Sequence, residues 1–268
     1  MNPTARDELE AGLAELKAQI RPLEHLVGLA AATVYQPIFC DSNGPDRYFR
    51  YPSPGIQHFC ILKFARVVSS LNAALRLARD GFNQEVCILI RAMIESATLI
   101  EWAIESLDPA ATHKPAVDAH IAAFFADHDR SPGTPHRPAG VKQEDIHKDI
   151  AKIFDQRLGM LGVTVGKSTK ELMSRTFLAY SYYVHARYPE LMDMFGGNPV
   201  QLHLDGMSNT PKDRENLEIL KTFVRTATLT GWHMALGLRL MPAITKHPVL
   251  SDWHLALVDE QGSKTQKA

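Results

Sequence analysis

The sequence predicts an all-α fold, a single-domain bundle of six to eight helices with two long irregular loops. Three observations support this. Apolar residues recur at helical spacing in one run after another, Pro and Gly cluster between the runs, and no alternating apolar/polar run of strand length stands out. With 268 residues, 45% of them hydrophobic and 22% charged, the chain has an ordinary globular composition and enough length for one large core.

The first helix is expected over about residues 5–32, within an N-terminal segment 1–35, because Leu9, Leu13, Leu16, Ile20, Leu23 and Leu26 share a face. Residues 36–54 then collect Pro37, Asn43-Gly44-Pro45, Pro52 and Pro54, which reads as a long loop. It carries the string Arg47-Tyr48-Phe49-Arg50-Tyr51, and those aromatics argue that the loop packs on something. A second long helix fits 56–79, and Asp80-Gly81 turns the chain into a third over 82–107 as an antiparallel hairpin. A helix at about 115–128 precedes a Pro/Gly-rich break at 130–140. Helices resume at about 141–161, 168–186 and 189–195. Ser208-Asn209-Thr210-Pro211 then opens a long helix over 212–241 that Pro242 ends. The bundle core spans 56–258 together with 1–35, and 259–268 reads as a disordered polar tail.

The helix 82–107 carries the main polar signal. At 100° per residue, Gln84, Arg91, Glu95, Thr98, Trp102 and Glu105 fall within an arc of roughly 80°. The opposite arc is Phe82, Val86, Leu89, Met93, Ala97, Ile100, Ile104 and Leu107, a continuous core face. A helix apolar almost all round should be central, so Arg91 and Glu95 are expected to be buried, where charges are tolerated only when paired. On the helix 168–186, Ser174, Phe177, Leu178, Ser181, His185 and Tyr188 share a face, with Ser181 one turn before His185. On 212–241, Thr222, Thr226 and His233 form a ridge beside a core face of Leu220, Phe223, Ala227 and Thr230; threonines in that position read as inter-helix hydrogen bonds. His113, His120 and His128 read as solvated surface residues.

Several chemistries are unsupported. No G-x-S-x-G elbow, Walker loop or dinucleotide fingerprint occurs. Cys40, Cys60 and Cys87 form neither a C-x-x-C pair nor a disulfide framework, and Cys60 and Cys87 read as small core residues. Glu-x-x-His is missing from the helices 82–107, 168–186 and 212–241, which argues against a di-iron centre, so no cofactor or metal is expected. The one Arg-x4–6-His match, Arg130 to His136, falls in the Pro/Gly-rich break. With 29 Lys and Arg against 30 Asp and Glu, the net charge of −1 gives no footprint for nucleic acid. The charged N-terminal segment excludes a secretory signal, and no stretch is apolar enough to span a membrane, which points to a soluble, cytoplasmic protein.

Two segments carry a resemblance. Leu75-x3-Arg79-Asp80-Gly81-x4-Val86-x4-Arg91-x3-Glu95, followed by Ser181-Tyr-Tyr-Val184-His185, resembles a bacterial all-helical family catalogued only as a domain of unknown function. The resemblance covers about residues 56–240, implies an all-α fold and carries over Arg91, Glu95, Ser181 and His185. Here Ala186-Arg187-Tyr188 displaces the family's proline to Pro189. Such proteins are compared with helical toxin and defence nucleases, whose Arg-x4–6-His helix this chain lacks.

The expectation is therefore that the helices 82–107, 168–186 and 212–241 meet, and that Arg91, Glu95, Ser181 and His185 converge, with His233 nearby. Such a cluster suits a structural network, or a site for a small polar ligand or protein partner, with Arg91 as a planar donor fork. The alternative is a metal-independent, nuclease-like hydrolase in which Glu95 or His185 is the general base and Arg91 stabilises developing charge. Homo-oligomerisation stays open.

Overall fold

The computed structural model describes residues 3–41, 47–126, 141–160, 169–196, 200–208 and 210–265. Among them run ten helices and two short antiparallel hairpins, so the chain is an all-α bundle. Four long helices make the centre: α1 (Pro3–Ala31), α2 (Ile56–Arg79), α3 (Asn83–Glu105) and α8 (Lys212–Gly237). Each presents a stripe of fully buried side chains at helical spacing. Leu16, Ile20, Leu23 and Leu26 come from α1, Phe59, Phe64 and Leu71 from α2, Ile90, Met93 and Ile100 from α3, and Leu220 and Val224 from α8. Burying a side chain of that size contributes about 1.5–3 kcal/mol, so this four-helix seam is the main source of stability.

The remaining helices pack around it. α5 (Gln143–Met160) and α6 (Thr169–Val184) form a pair laid against α3, and α4 (Lys114–Ala126) covers the junction of α2 and α3. α9 (Met241–Ile244) and α10 (Pro248–Thr265) lie against α1. Trp102, fully buried, ties α3 to α5 through its Nε1–H, which donates to Asp149 Oδ2 at 3.1 Å. None of the described helices is long and apolar enough to cross a membrane.

Several elements differ from the sequence expectation. The segment 36–54 contains a β-hairpin, β1 (Ile38–Asp41) paired with β2 (Arg47–Arg50), with Phe39 opposite Phe49. Its residues are apolar on both faces, so no alternation announced it. α7 (Tyr188–Met192) is shorter than expected, and a second small hairpin, β3 (Phe195–Gly196) with β4 (Gln201–Leu202), follows it. α8 stops at Gly237 instead of 241, because Arg239 adopts a left-handed φ of 58° that ends the helix, and Pro242 opens the short α9. The polar segment expected as a tail from 259 continues α10 through Thr265. The Asn43-Gly44-Pro45 turn, the Pro/Gly-rich break at 130–140 and His128 lie outside the described residues.

The α2–α3 turn is clasped from across the molecule. Gly81 (φ 79°) and Gly206 (φ 84°) are both left-handed, and Met207 N–H donates to Gly81 O at 2.8 Å. A Cβ on Gly81 would run into the backbone at Met207–Ser208, and one on Gly206 into the carbonyl of Asp80. Glycine is required at both positions by dihedral and by space.

Candidate functional site

α3 carries Arg91 and Glu95 one turn apart, so both side chains leave the same face. That face meets α6, where Phe177 and Ser181 stand one turn apart in the same way. The Arg91 guanidinium fits between them. Its Nε–H donates to Ser181 Oγ at 2.8 Å and its Nη1–H to Glu95 Oε2 at 2.9 Å. Its plane lies over the Phe177 ring, with Cζ 3.3 Å from the ring centroid. Ser181 spends its own proton on Phe177 O at 2.7 Å, leaving its oxygen free to accept from arginine. The contacts with Ser181 and Phe177 bridge α3 to α6, and the contact with Glu95 braces the arginine on its own helix.

The depth of the site differs from expectation. The Arg91 side chain is 16% exposed and Glu95 is 45% exposed, so the pair is not enclosed as the stripe implied. Farther along the stripe Thr98 and Trp102 are buried, whereas Glu95 stands half exposed. His185 does not join the cluster: it is exposed and lies just past the end of α6, whose last turn closes with His185 N–H on Ser181 O. Ala186 then takes a left-handed φ of 47° and redirects the chain, so the helical phase that aligned His185 with Ser181 stops before it. Tyr188 and Leu178, also expected on that face, are exposed. His233 sits on α8 away from Arg91, with Nδ1 2.9 Å from Oε2 of the enclosed Glu101 of α3.

Other side chains complete the picture. Thr222 and Thr226, expected to bond between helices, return their hydroxyls to the carbonyls of Glu218 and Thr222 one turn back on their own helix and make no inter-helix bond among the described residues. His113, expected in solvent, packs on Trp102 and bonds its carbonyl at 3.2 Å, and His120 joins the rings of Phe59 and Trp102. Cys60 and Cys87 are buried as expected, and burial pushes both thiols up to about 12, making them poor nucleophiles.

Two groups of polar residues have no counterpart in the sequence reading. His147 of α5, 3% exposed, stands edge-on to Phe177 at 5.1 Å on the far side from the guanidinium's own helix. Burial, then the positive charges of Arg91 and Lys170, hold its imidazole below the usual histidine range and hence neutral at pH 7. Two sequence signals were available for it: its place beside Ile146 and Ile150 on the buried face of α5, and Glu144 three residues before it, a Glu-x-x-His spacing. Tyr183 donates to Asp193 Oδ2 at 2.7 Å, and Lys212 approaches Asp193 at 3.4 Å and Glu215 at 2.9 Å, linking α6, the end of α7 and α8. Burial and the acceptor Asp193 hold the Tyr183 hydroxyl well above the ordinary phenol range. Among the described residues, no group of three His, Cys, Asp or Glu side chains is placed to hold a metal ion. The cavities of about 840 Å³ between α1 and α8 and about 740 Å³ beside α4 lie away from Arg91.

Compared with known proteins, the chain matches no family model, no curated protein and no solved structure.

Proposed function

We propose that this chain is a soluble, cytoplasmic helical-bundle protein that binds a small ligand or protein partner, and that Arg91, Glu95 and Ser181 lock the register of α3 against α6. One observation carries this reading: the guanidinium already spends Nε on Ser181, Nη1 on Glu95 and its face on Phe177. An arginine that stabilises a transition state has to offer its donors to charge that develops on a substrate. A general base has to come within hydrogen-bond reach of the proton it removes, and neither His185 nor His233 is assembled with Arg91. The −1 net charge supports a partner other than nucleic acid.

A second reading, phosphodiester hydrolysis, is favoured by His147, whose imidazole is held neutral beside Arg91 as a base would be. Its 3% exposure counts against it, since a substrate has no open route to the ring. Turnover of single-stranded RNA and of bis(p-nitrophenyl) phosphate, measured on the wild type and on His147→Gln, separates the two. No turnover above buffer is expected from either protein. Turnover in the wild type that His147→Gln abolishes while unfolding remains cooperative would overturn the binding reading.

A further inference from the structure

We propose that the chain forms a two-fold dimer through the outward face of the β3–β4 hairpin and α7, with a second copy of the chain as the occupant of that face. The proposal goes beyond the binding reading above and does not depend on it. Phe195 of β3 stands opposite Leu202 of β4 in the antiparallel register, so the two side chains leave the same face. Val200 and Leu204 lie two residues to either side of Leu202, where period-two alternation returns the side chain to that face. Phe195 is 46% exposed, Val200 69%, Leu202 55% and Leu204 79%. The polar residues between them, Gln201 and His203, take the other face, and His203 Nε2 lies 2.7 Å from Gly196 O. The segment is therefore amphipathic with its apolar side in solvent, the reverse of a sheet that serves only its own core. A hairpin of two strands is marginal in water unless one of its faces is packed. α7 widens the same exposed surface. Its Tyr188 and Leu191 are 75% and 41% exposed, and Met194, just beyond it, accepts His203 N–H at 2.9 Å through its carbonyl.

Area and charge together select a second copy. The exposed fractions of these six side chains correspond to roughly 750 Å² of surface, close to the ~800 Å² that each partner of a standard stable complex buries. The largest apolar patch on a typical monomer is only about 300–600 Å². Residues 188–205 hold no Lys or Arg, so the face lacks the cations that engage an anionic membrane surface or nucleic acid. Of the acidic residues there, Asp193 is held by Tyr183 and Lys212, and Glu190 has its Oε2 buried. The four hairpin residues themselves carry no charge. Turned about a two-fold axis, such a face meets its own copy without burying an unpaired ion, and closed two-fold pairs are the commonest assembly of identical chains. The net charge of −1 adds no long-range repulsion between copies.

The test uses the full chain. Sedimentation equilibrium at micromolar concentration should give twice the monomer mass. Leu202→Glu and Leu204→Glu, each at an exposed position, should weaken the dimer by about a hundredfold or more while thermal unfolding stays cooperative. Phe39→Glu, on the exposed face of the other hairpin, should leave the dimer intact. Amide exchange over 200–204 should slow as the wild type is concentrated through its dissociation range, a readout that needs no variant. A wild type still monomeric at about 100 μM, a dimer unaffected by both leucine variants, or equal dissociation by Phe39→Glu would overturn the proposal. So would a monomer that co-sediments with phosphatidylcholine/phosphatidylglycerol vesicles through Leu202 and Leu204, which would make lipid the occupant. Phosphodiester turnover, the outcome that removes the binding reading, does not bear on the dimer, so the two proposals fail separately.

Discussion

On the face of α3 that meets α6, a guanidinium is braced by a serine, a carboxylate and an aromatic ring, and the polar groups answer one another. Where α2 and α4 meet the hairpin, the walls are aromatic and open, and an imidazole nitrogen has no partner. The first region is rich in the residue types associated with chemistry, yet its hydrogen-bonding capacity goes into holding two helices together. The second has few charges and leaves apolar area open. Free energy for binding comes from groups that are unsatisfied before the partner arrives, so polarity alone is a poor guide to function. Damage to the first region should therefore appear as lost stability.

Arg91→Ala should give the largest effect. It removes the Ser181 bond, the Glu95 pair and the ring contact together, at a cost of about 2–4 kcal/mol in urea denaturation. A loss below about 1 kcal/mol would mean that the α3–α6 seam does not depend on it. Ser181→Ala and Glu95→Ala should each cost about 1 kcal/mol, Glu95 little more than a surface pair because it is 45% exposed. A double-mutant cycle between Arg91 and Ser181 would measure their coupling directly.

The pH dependence gives a smaller effect with a defined sign. Burial lowers the folded pKa of His147 and of His58 from the ordinary 6.5. On acidification the unfolded chain takes up these protons first, so their contribution is complete above about pH 6.5 and is lost as the pH falls through the folded values. The stability difference between pH 7.5 and pH 5.5 should therefore shrink in His147→Gln and in His58→Gln. A wild-type stability that rises on acidification across that interval would contradict the burial of both rings. The smallest effect should come from His185→Gln, within about 0.5 kcal/mol of wild type because the position is exposed.

Most helices were legible in the sequence because their apolar spacing and their Pro/Gly boundaries are local signals. Arg91 with Glu95 was legible for the same reason, as was the placing of Ser181 on the facing side of α6. His185 was misplaced because a helical wheel extrapolates a phase that the chain abandons at Ala186. His147 was missed because only the packing of α5 on α6 brings it to Phe177. The hairpin escaped because Ile38-Phe39 and Tyr48-Phe49 place apolar residues on both of its faces, so period-two alternation never formed. Of the aromatics in that segment, which were expected to pack, Tyr51 meets His58 edge-on whereas Phe49 is exposed.

The clasp between Gly81 and Met207 means that the chain leaves a point at the start of α3 and returns to it before α8. Covalent continuity through the intervening residues is then partly redundant, since their two ends are held by backbone contact as well as by the core. A single cut between α4 and α5 should give two fragments that stay associated, co-elute under native conditions and reassemble after denaturation. The molecule is thus suited to being split and reconstituted, and Gly81→Ala or Gly206→Ala should abolish reassembly of the halves more readily than folding of the intact chain.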